Sequence, residues 1–143
     1  MEERGSRFDM SSERTNSDRY VVWRSGPALT SELYIDGLYD DFEGLRLLLR
    51  GRDFTQSAVR IRFADRYAYR YTNESDRLRT WARHPEISQA VVYEVENSSW
   101  LEWLFAESGE TLPLRQLKHF AVYSVEDCVD VISGSEPEIA LVG

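Results

Sequence analysis

The chain has 143 residues, 42% of them hydrophobic and 13% aromatic, with a formal net charge of -8; that is the size and composition of one folded domain and excludes wholesale disorder. Its single cysteine, Cys128, leaves no partner for an internal disulfide and fits a reducing compartment, so a bacterial cytoplasmic protein is expected. Residues 1–93 hold 15 basic and 15 acidic groups while residues 94–143 hold 2 and 10, a balance that disfavours duplex nucleic acid as the main ligand and favours a basic protein partner.

Residues 1–18 are polar and charged, with Phe8 and Met10 as isolated apolar groups, and read as a disordered arm. They contain no apolar stretch of signal-peptide length, and no run in the chain approaches the roughly 18 apolar residues of a membrane span. From Arg19 onward a single domain is expected to residue 143. Tyr20-Val21-Val22-Trp23 is a β-prone run ended by Ser25-Gly26-Pro27, and Glu32-Leu33-Tyr34-Ile35 is a second one ended by Asp36-Gly37.

Phe42, Leu45, Leu48 and Leu49 recur at helical spacing after the acids Asp40, Asp41 and Glu43, with Gly51 behind them, and predict a helix over residues 40–51. Val59, Ile61 and Phe63 then alternate with Arg60 and Arg62, and Tyr67, Tyr69 and Tyr71 alternate with Ala68, Arg70 and Thr72, which predicts a hairpin turning at Ala64-Asp65. That hairpin places Arg60, Arg62, Arg66 and Arg70 on one face and the tyrosines on the other, so the two types do not interleave as a base-stacking platform requires. A short helix is expected over residues 76–83, closed by His84-Pro85.

Residues 89–96 read as a central strand, because Val91, Val92 and Tyr93 are consecutive and apolar. Ser99 with Glu102 forms a capping box that opens a helix, and Gly109 marks its end. Strands over residues 117–124 and 128–132, a turn between them, and a tail beyond Gly134–Pro137 complete the chain. The expected fold is α+β, a mainly antiparallel sheet with two or three helices packed on one face.

Chemistry has few footholds. His119, Cys128 and Asp127 invite a nucleophile, base and orienting carboxylate, but Cys128 opens an apolar alternation with no basic neighbour and reads as a buried structural thiol. His84 and His119 are 35 positions apart without a second ligand at a zinc spacing, the clustered acids do not match a calcium loop, and no phosphate-cradling or nucleophile-elbow motif occurs. No metal or cofactor is expected. The aromatic run Trp100-Leu101-Glu102-Trp103-Leu104-Phe105 carries more apolar surface than one core-facing stripe absorbs, so it is either buried on both sides or part of an interface.

The segments ENSSWLEWLFAESG (residues 96–109) and LKHFAVYSVEDCVDVISGSEP (residues 117–137) resemble a pattern in small uncharacterised bacterial proteins, some of which look like immunity proteins of toxin systems. The resemblance covers about a quarter of the chain and implies a cytoplasmic protein that acts by binding another protein, with no active site to carry over. The leading expectation is therefore a non-enzymatic binding module, of the immunity type, with Trp100 and Trp103 as anchors and Glu126, Asp127 and Asp130 as charged contacts for a basic toxin domain. A second expectation is a ligand binder or enzyme with a pocket where Glu94, Glu96 and His119 converge, and a third is a structural homodimer built on the aromatic helix.

Overall fold

The computed structural model describes residues 17–24, 29, 32–52, 57–87 and 90–142. The arm expected over residues 1–18 lies outside these except for Ser17 and Asp18, as does the Ser25-Gly26-Pro27 turn. In chain order the strands are β1 (Arg19–Val22), β2 (Tyr34–Asp41), β3 (Gly44–Arg50), β4 (Ala58–Phe63), β5 (Arg66–Asn73), β6 (Val92–Glu96), β7 (Lys118–Tyr123), β8 (Asp127–Ser133) and β9 (Glu138–Val142). The helices described are α1 (Leu78–Arg83) and α2 (Ser99–Glu107), with single 3-10 turns at Glu74–Asp76 and Leu114–Gln116. The fold is α+β and mainly antiparallel, but the strands form two sheets where one was expected, in the orders β1-β6-β7-β8-β5 and β2-β3-β4-β9.

The two sheets share one core. Leu45, Leu47 and Leu49 of β3 and Val59, Ile61 and Phe63 of β4 meet Phe120 and Val122 of β7 and Val129 and Val131 of β8 in a single buried cluster, with the Phe63 and Phe120 rings 5.7 Å apart. The helix expected over residues 40–51 is corrected by this packing. Leu47 joins Leu45 and Leu49 at a spacing of two, and a strand alone puts all three on one side. Phe42, counted as helical, is 96% exposed in the turn between β2 and β3, and Gly44 makes that turn with φ +98°. Asp36-Gly37, read as the end of a strand, falls at a register shift inside β2.

The hairpin expected over residues 59–72 is likewise corrected. β4 pairs with β3 and β9, β5 pairs with β8, and the chain passes from one sheet to the other at Ala64-Asp65. The arginines of that segment consequently part company: Arg62 binds Glu138 at 3.0 Å, Arg66 binds Asp40 at 2.6 Å, and Arg70 reaches Asp130 at 3.1 Å. Tyr67, Tyr69 and Tyr71 stand on the edge strand β5, each more than a third exposed. The segment read as a tail contributes β9, which flanks β4.

β8 is buried from Cys128 through Ser133. Alternate residues Val129 and Val131 face the other sheet, while Cys128, Asp130 and Ile132 share the opposite face with Tyr123, Ala121 and His119 of β7. Aromatic residues of both helices reach that second face: Trp81 of α1 meets Tyr123 edge-on at 5.7 Å, and Trp100 of α2 meets His119 at 5.1 Å. No helix among the described residues is long and apolar enough to cross a membrane.

Candidate functional site

Antiparallel register assembles a polar group at the centre of the face that Trp81 and Trp100 touch. Asp130 of β8 lies directly opposite Ala121 of β7 and Arg70 of β5, and His119 and Tyr123 flank Ala121 on the same side of β7. Asp130 is fully buried, and every acceptor direction of its carboxylate is used. Oδ1 accepts from His119 Nε2 at 2.8 Å and from the Tyr123 hydroxyl at 2.8 Å. Oδ2 accepts from Arg70 Nε at 3.1 Å and from an Arg77 Nη at 3.2 Å.

Arg77 precedes α1 and spreads its guanidinium over this group, donating also to Thr72 Oγ1, Thr80 Oγ1 and the Tyr123 hydroxyl at 3.0–3.2 Å. Burial alone would raise the pKa of Asp130, but the His119 hydrogen bond and the Arg70 and Arg77 charges hold it well below the carboxylate range. Burial and the nearby Asp130 charge push Tyr123 far up, and the same two causes raise Tyr20, whose hydroxyl lies 3.3 Å from that of Tyr123, to about 12.

The network continues into α2. Ser98 is the N-cap of this helix and its Oγ accepts from the Leu101 amide at 3.0 Å. The capping box expected on Ser99 with Glu102 is thus corrected: the cap falls one residue earlier, where Leu101 and not Glu102 occupies the third helical position, and the Ser99 amide instead donates to Asp18 Oδ1 at 2.7 Å. Ser98 Oγ also lies 2.7 Å from His119 Nδ1. In the neutral ring with its proton on Nε2, given to Asp130, Nδ1 is the acceptor and the Ser98 hydroxyl donates to it. Asn97, in front of the cap, takes φ +55°, a conformation asparagine tolerates. Trp100 packs against His119, and Arg70 stacks over the Trp100 ring at 4.4 Å.

A cleft of about 350 Å³ opens beside this relay, with Ser98 and His119 in its lining, Glu94, Glu96, Glu102 and Lys118 around it, and Leu101, Leu114 and Leu117 as apolar walls. The structure therefore places Glu94, Glu96 and His119 around one space. Lys118 stands 3.7 Å from Glu94 and 3.1 Å from Glu136, and Arg19 pairs with Glu96.

The expected interface residues separate. Trp103 is 55% exposed, whereas Trp100 is half-buried under Arg70 and beside His119. Asp130 cannot touch a partner, because burial and four hydrogen bonds enclose it; its reading as a charged contact is corrected. Glu126 and Asp127 lie at the β7–β8 turn, at the end of β7 away from His119. The acidic third is not one surface either: Glu94, Glu96, Asp130, Glu136 and Glu138 each face a cation, two of them arginines of the supposed hairpin.

Cys128 is buried next to this network, and burial raises its thiol to about 12, which disfavours the thiolate a nucleophile requires. Ser98, Arg77 and Tyr123 escaped the sequence reading. The available signal was His119 and Asp130 themselves, two polar side chains at inward positions of otherwise apolar alternations. Among the described residues no three His, Cys, Asp or Glu side chains converge on a metal position.

No family model, curated protein or solved structure matches the chain.

Proposed function

We propose that the protein is a binding module that offers the outer side of α2 to a basic protein, acting as an immunity-type inhibitor of a cationic toxin domain. Glu102, Trp103, Ala106 and Glu107 are all exposed and fall on one side of the helix, with Glu110 just beyond it. None of Glu102, Glu107 and Glu110 has a cation within ion-pair distance among the described residues, in contrast to the neutralised acids elsewhere in the final third.

The observation that carries the reading is Trp103, a large aromatic more than half exposed amid unpaired carboxylates. An indole beside carboxylates suits a lysine or arginine, which gains both a cation–π contact and an ion pair. A shallow groove lined by Arg70, Ser99, Trp100 and Trp103 runs alongside and offers room for a side chain of the partner. The same charge argues against a symmetric homodimer through this face, since a two-fold axis would set carboxylates against carboxylates.

The test places a photo-crosslinking amino acid at position 106 in the host cell, beside Trp103 on the same side of α2, with position 39 as control, because Tyr39 is also about half exposed but belongs to the other sheet. The expected product is a basic protein captured from position 106 and not from 39. Its affinity for the purified chain should fall at least about tenfold with Trp103→Ala and weaken as salt is raised. Equal capture from both positions, or binding indifferent to salt, refutes the reading.

A further inference from the structure

We propose that Ser98 is a catalytic nucleophile served by His119 and Asp130, and that the cleft beside α2 takes a small carboxylic ester or thioester whose leaving group carries a positive charge. Ser98 Oγ, His119 and Asp130 stand in the order nucleophile, base and orienting carboxylate, with contacts of 2.7 and 2.8 Å. Such a relay is recognised by geometry and role rather than by sequence order. Here the serine meets Nδ1 and the carboxylate meets Nε2. Either ring nitrogen can take a proton, and the aspartate acceptor fixes which one is free to do so.

Capping does not account for this construction. A cap needs one acceptor for the Leu101 amide, which asparagine or aspartate supplies equally well; it does not need a buried imidazole held by a carboxylate that four donors enclose. With the His119 proton on Nε2, the Ser98 hydroxyl proton is directed at Nδ1 and one Oγ lone pair at Leu101, which leaves the second lone pair for a carbonyl carbon. Ser98 is only 6% exposed and lines the cleft, which is the approach the substrate would use. At the first turn of α2 the Trp100 amide has no acceptor among the described residues, so it is free to donate to an oxyanion at the helix's positive end.

The reaction balances with water as the only co-reactant. Ser98 Oγ bonds to the carbonyl carbon as its proton passes to Nδ1 and the carbonyl π electrons move to oxygen. Collapse breaks the bond to the leaving alcohol or thiol, which carries away the proton from Nδ1. Water then attacks the acyl-serine, again through Nδ1, and Oγ recovers its proton as the acid departs. Leu101, Leu114 and Leu117 accommodate the acyl chain, and the unpaired carboxylate of Glu102 favours the cation, Glu94 and Glu96 being engaged by Lys118 and Arg19.

The full chain is treated with an alkyl fluorophosphonate and analysed by intact mass and peptide mapping. In parallel, thiol release is followed from acetylthiocholine and from its neutral isostere S-(3,3-dimethylbutyl) thioacetate. One adduct, on Ser98, is expected, and acetylthiocholine should react about tenfold faster than the isostere, the value of one favourable charge contact of modest strength. Ser98→Asn keeps the cap but removes the nucleophile, so it should remain folded by circular dichroism, take no label, and turn over at least about 100-fold more slowly. Glu102→Gln, on the surface, should narrow the preference for the cation. An unlabelled native protein, a label elsewhere, or turnover that survives Ser98→Asn overturns the nucleophile; equal rates for the two thioesters overturn the substrate class.

Discussion

Asp130 Oδ1 stands 2.8 Å from His119 Nε2, and both side chains are wholly buried. This contact joins the centre of the larger sheet to the start of α2, because His119 carries Ser98 on its other nitrogen. Asp130 is also the only acid within ion-pair distance of Arg77 among the described residues, and the Arg77 side chain is 12% exposed. Removing the carboxylate therefore strands a guanidinium. Asp130→Asn should cost about 3–5 kcal/mol in urea unfolding, and Tyr123→Phe, which removes one donor to the same oxygen, about 1–2 kcal/mol. A loss below 1 kcal/mol for Asp130→Asn would show the network to be dispensable.

The same carboxylate sets an acid limit. Burial favours its protonated form, but His119, Arg70 and Arg77 outweigh burial and depress the folded pKa below the unfolded value of about 4. Under these conditions the unfolded chain binds the proton more readily, so stability rises with pH through this window. The contribution of Asp130 is complete above about pH 5 and is lost as pH falls below 4 toward the folded value. Unfolding free energies measured from pH 6 down to pH 2 should fall steeply for the native chain and distinctly less for Asp130→Asn. Parallel curves would assign the acid limb to other groups.

Cys128 illustrates the opposite direction. Burial is the main cause that lifts its thiol to about 12; the Asp130 charge adds to this and Arg77 partly opposes it. At neutral pH the reactive thiolate is then strongly disfavoured. Ellman's reagent should modify the native protein no faster than it unfolds, and fully within seconds in denaturant. Rapid labelling without denaturant would contradict the burial.

Gly44 distinguishes the hairpin from the helix that its neighbourhood suggests. Its φ is +98°, and a Cβ there would sit 2.9 Å from the Phe63 carbonyl oxygen. Gly44→Ala should therefore destabilise by about 1–3 kcal/mol, although the same change inside a helix would stabilise. Phe42→Ser, at a site 96% exposed, should change stability by less than about 0.5 kcal/mol. A stabilising Gly44→Ala would restore the helix.

Segments with one dominant period were legible in the sequence, and those with two competing periods were not. His84-Pro85 closes α1 and Gly109, with φ +69°, ends α2 as read. Residues 42–49 satisfy helical and strand spacing together, and only the opposing sheet decides between them, since Leu45, Leu47 and Leu49 need Phe120, Val122 and Val131 to cover them. Val59–Phe63 and Tyr67–Tyr71 do alternate, but alternation is silent about which strand supplies the hydrogen bonds, so a crossing between sheets looked like a hairpin. Glu94, Glu96 and His119 could be placed near one another because β6 and β7 are adjacent, with Glu94 opposite Phe120 and Val95 opposite His119. Arg77 could not, since nothing local ties a residue ahead of a short helix to a carboxylate 53 positions later.

The two tryptophans of α2 provide the last test, because they occupy one helix and do different work. Trp100 covers His119 and is itself covered by Arg70, so truncation exposes the buried relay and removes two ring contacts. Trp103 is 55% exposed and makes no ring contact among the described residues. Trp100→Ala should lose about 2–3 kcal/mol of stability and Trp103→Ala less than about 1 kcal/mol, by chemical denaturation. Binding should reverse that order: Trp103→Ala weakens binding of a basic partner at least about tenfold while leaving the fold intact, as expected of an aromatic kept at the surface for recognition rather than packing. If Trp103→Ala proved the more destabilising of the two, the exposed indole would belong to the core and the docking face would lose its anchor.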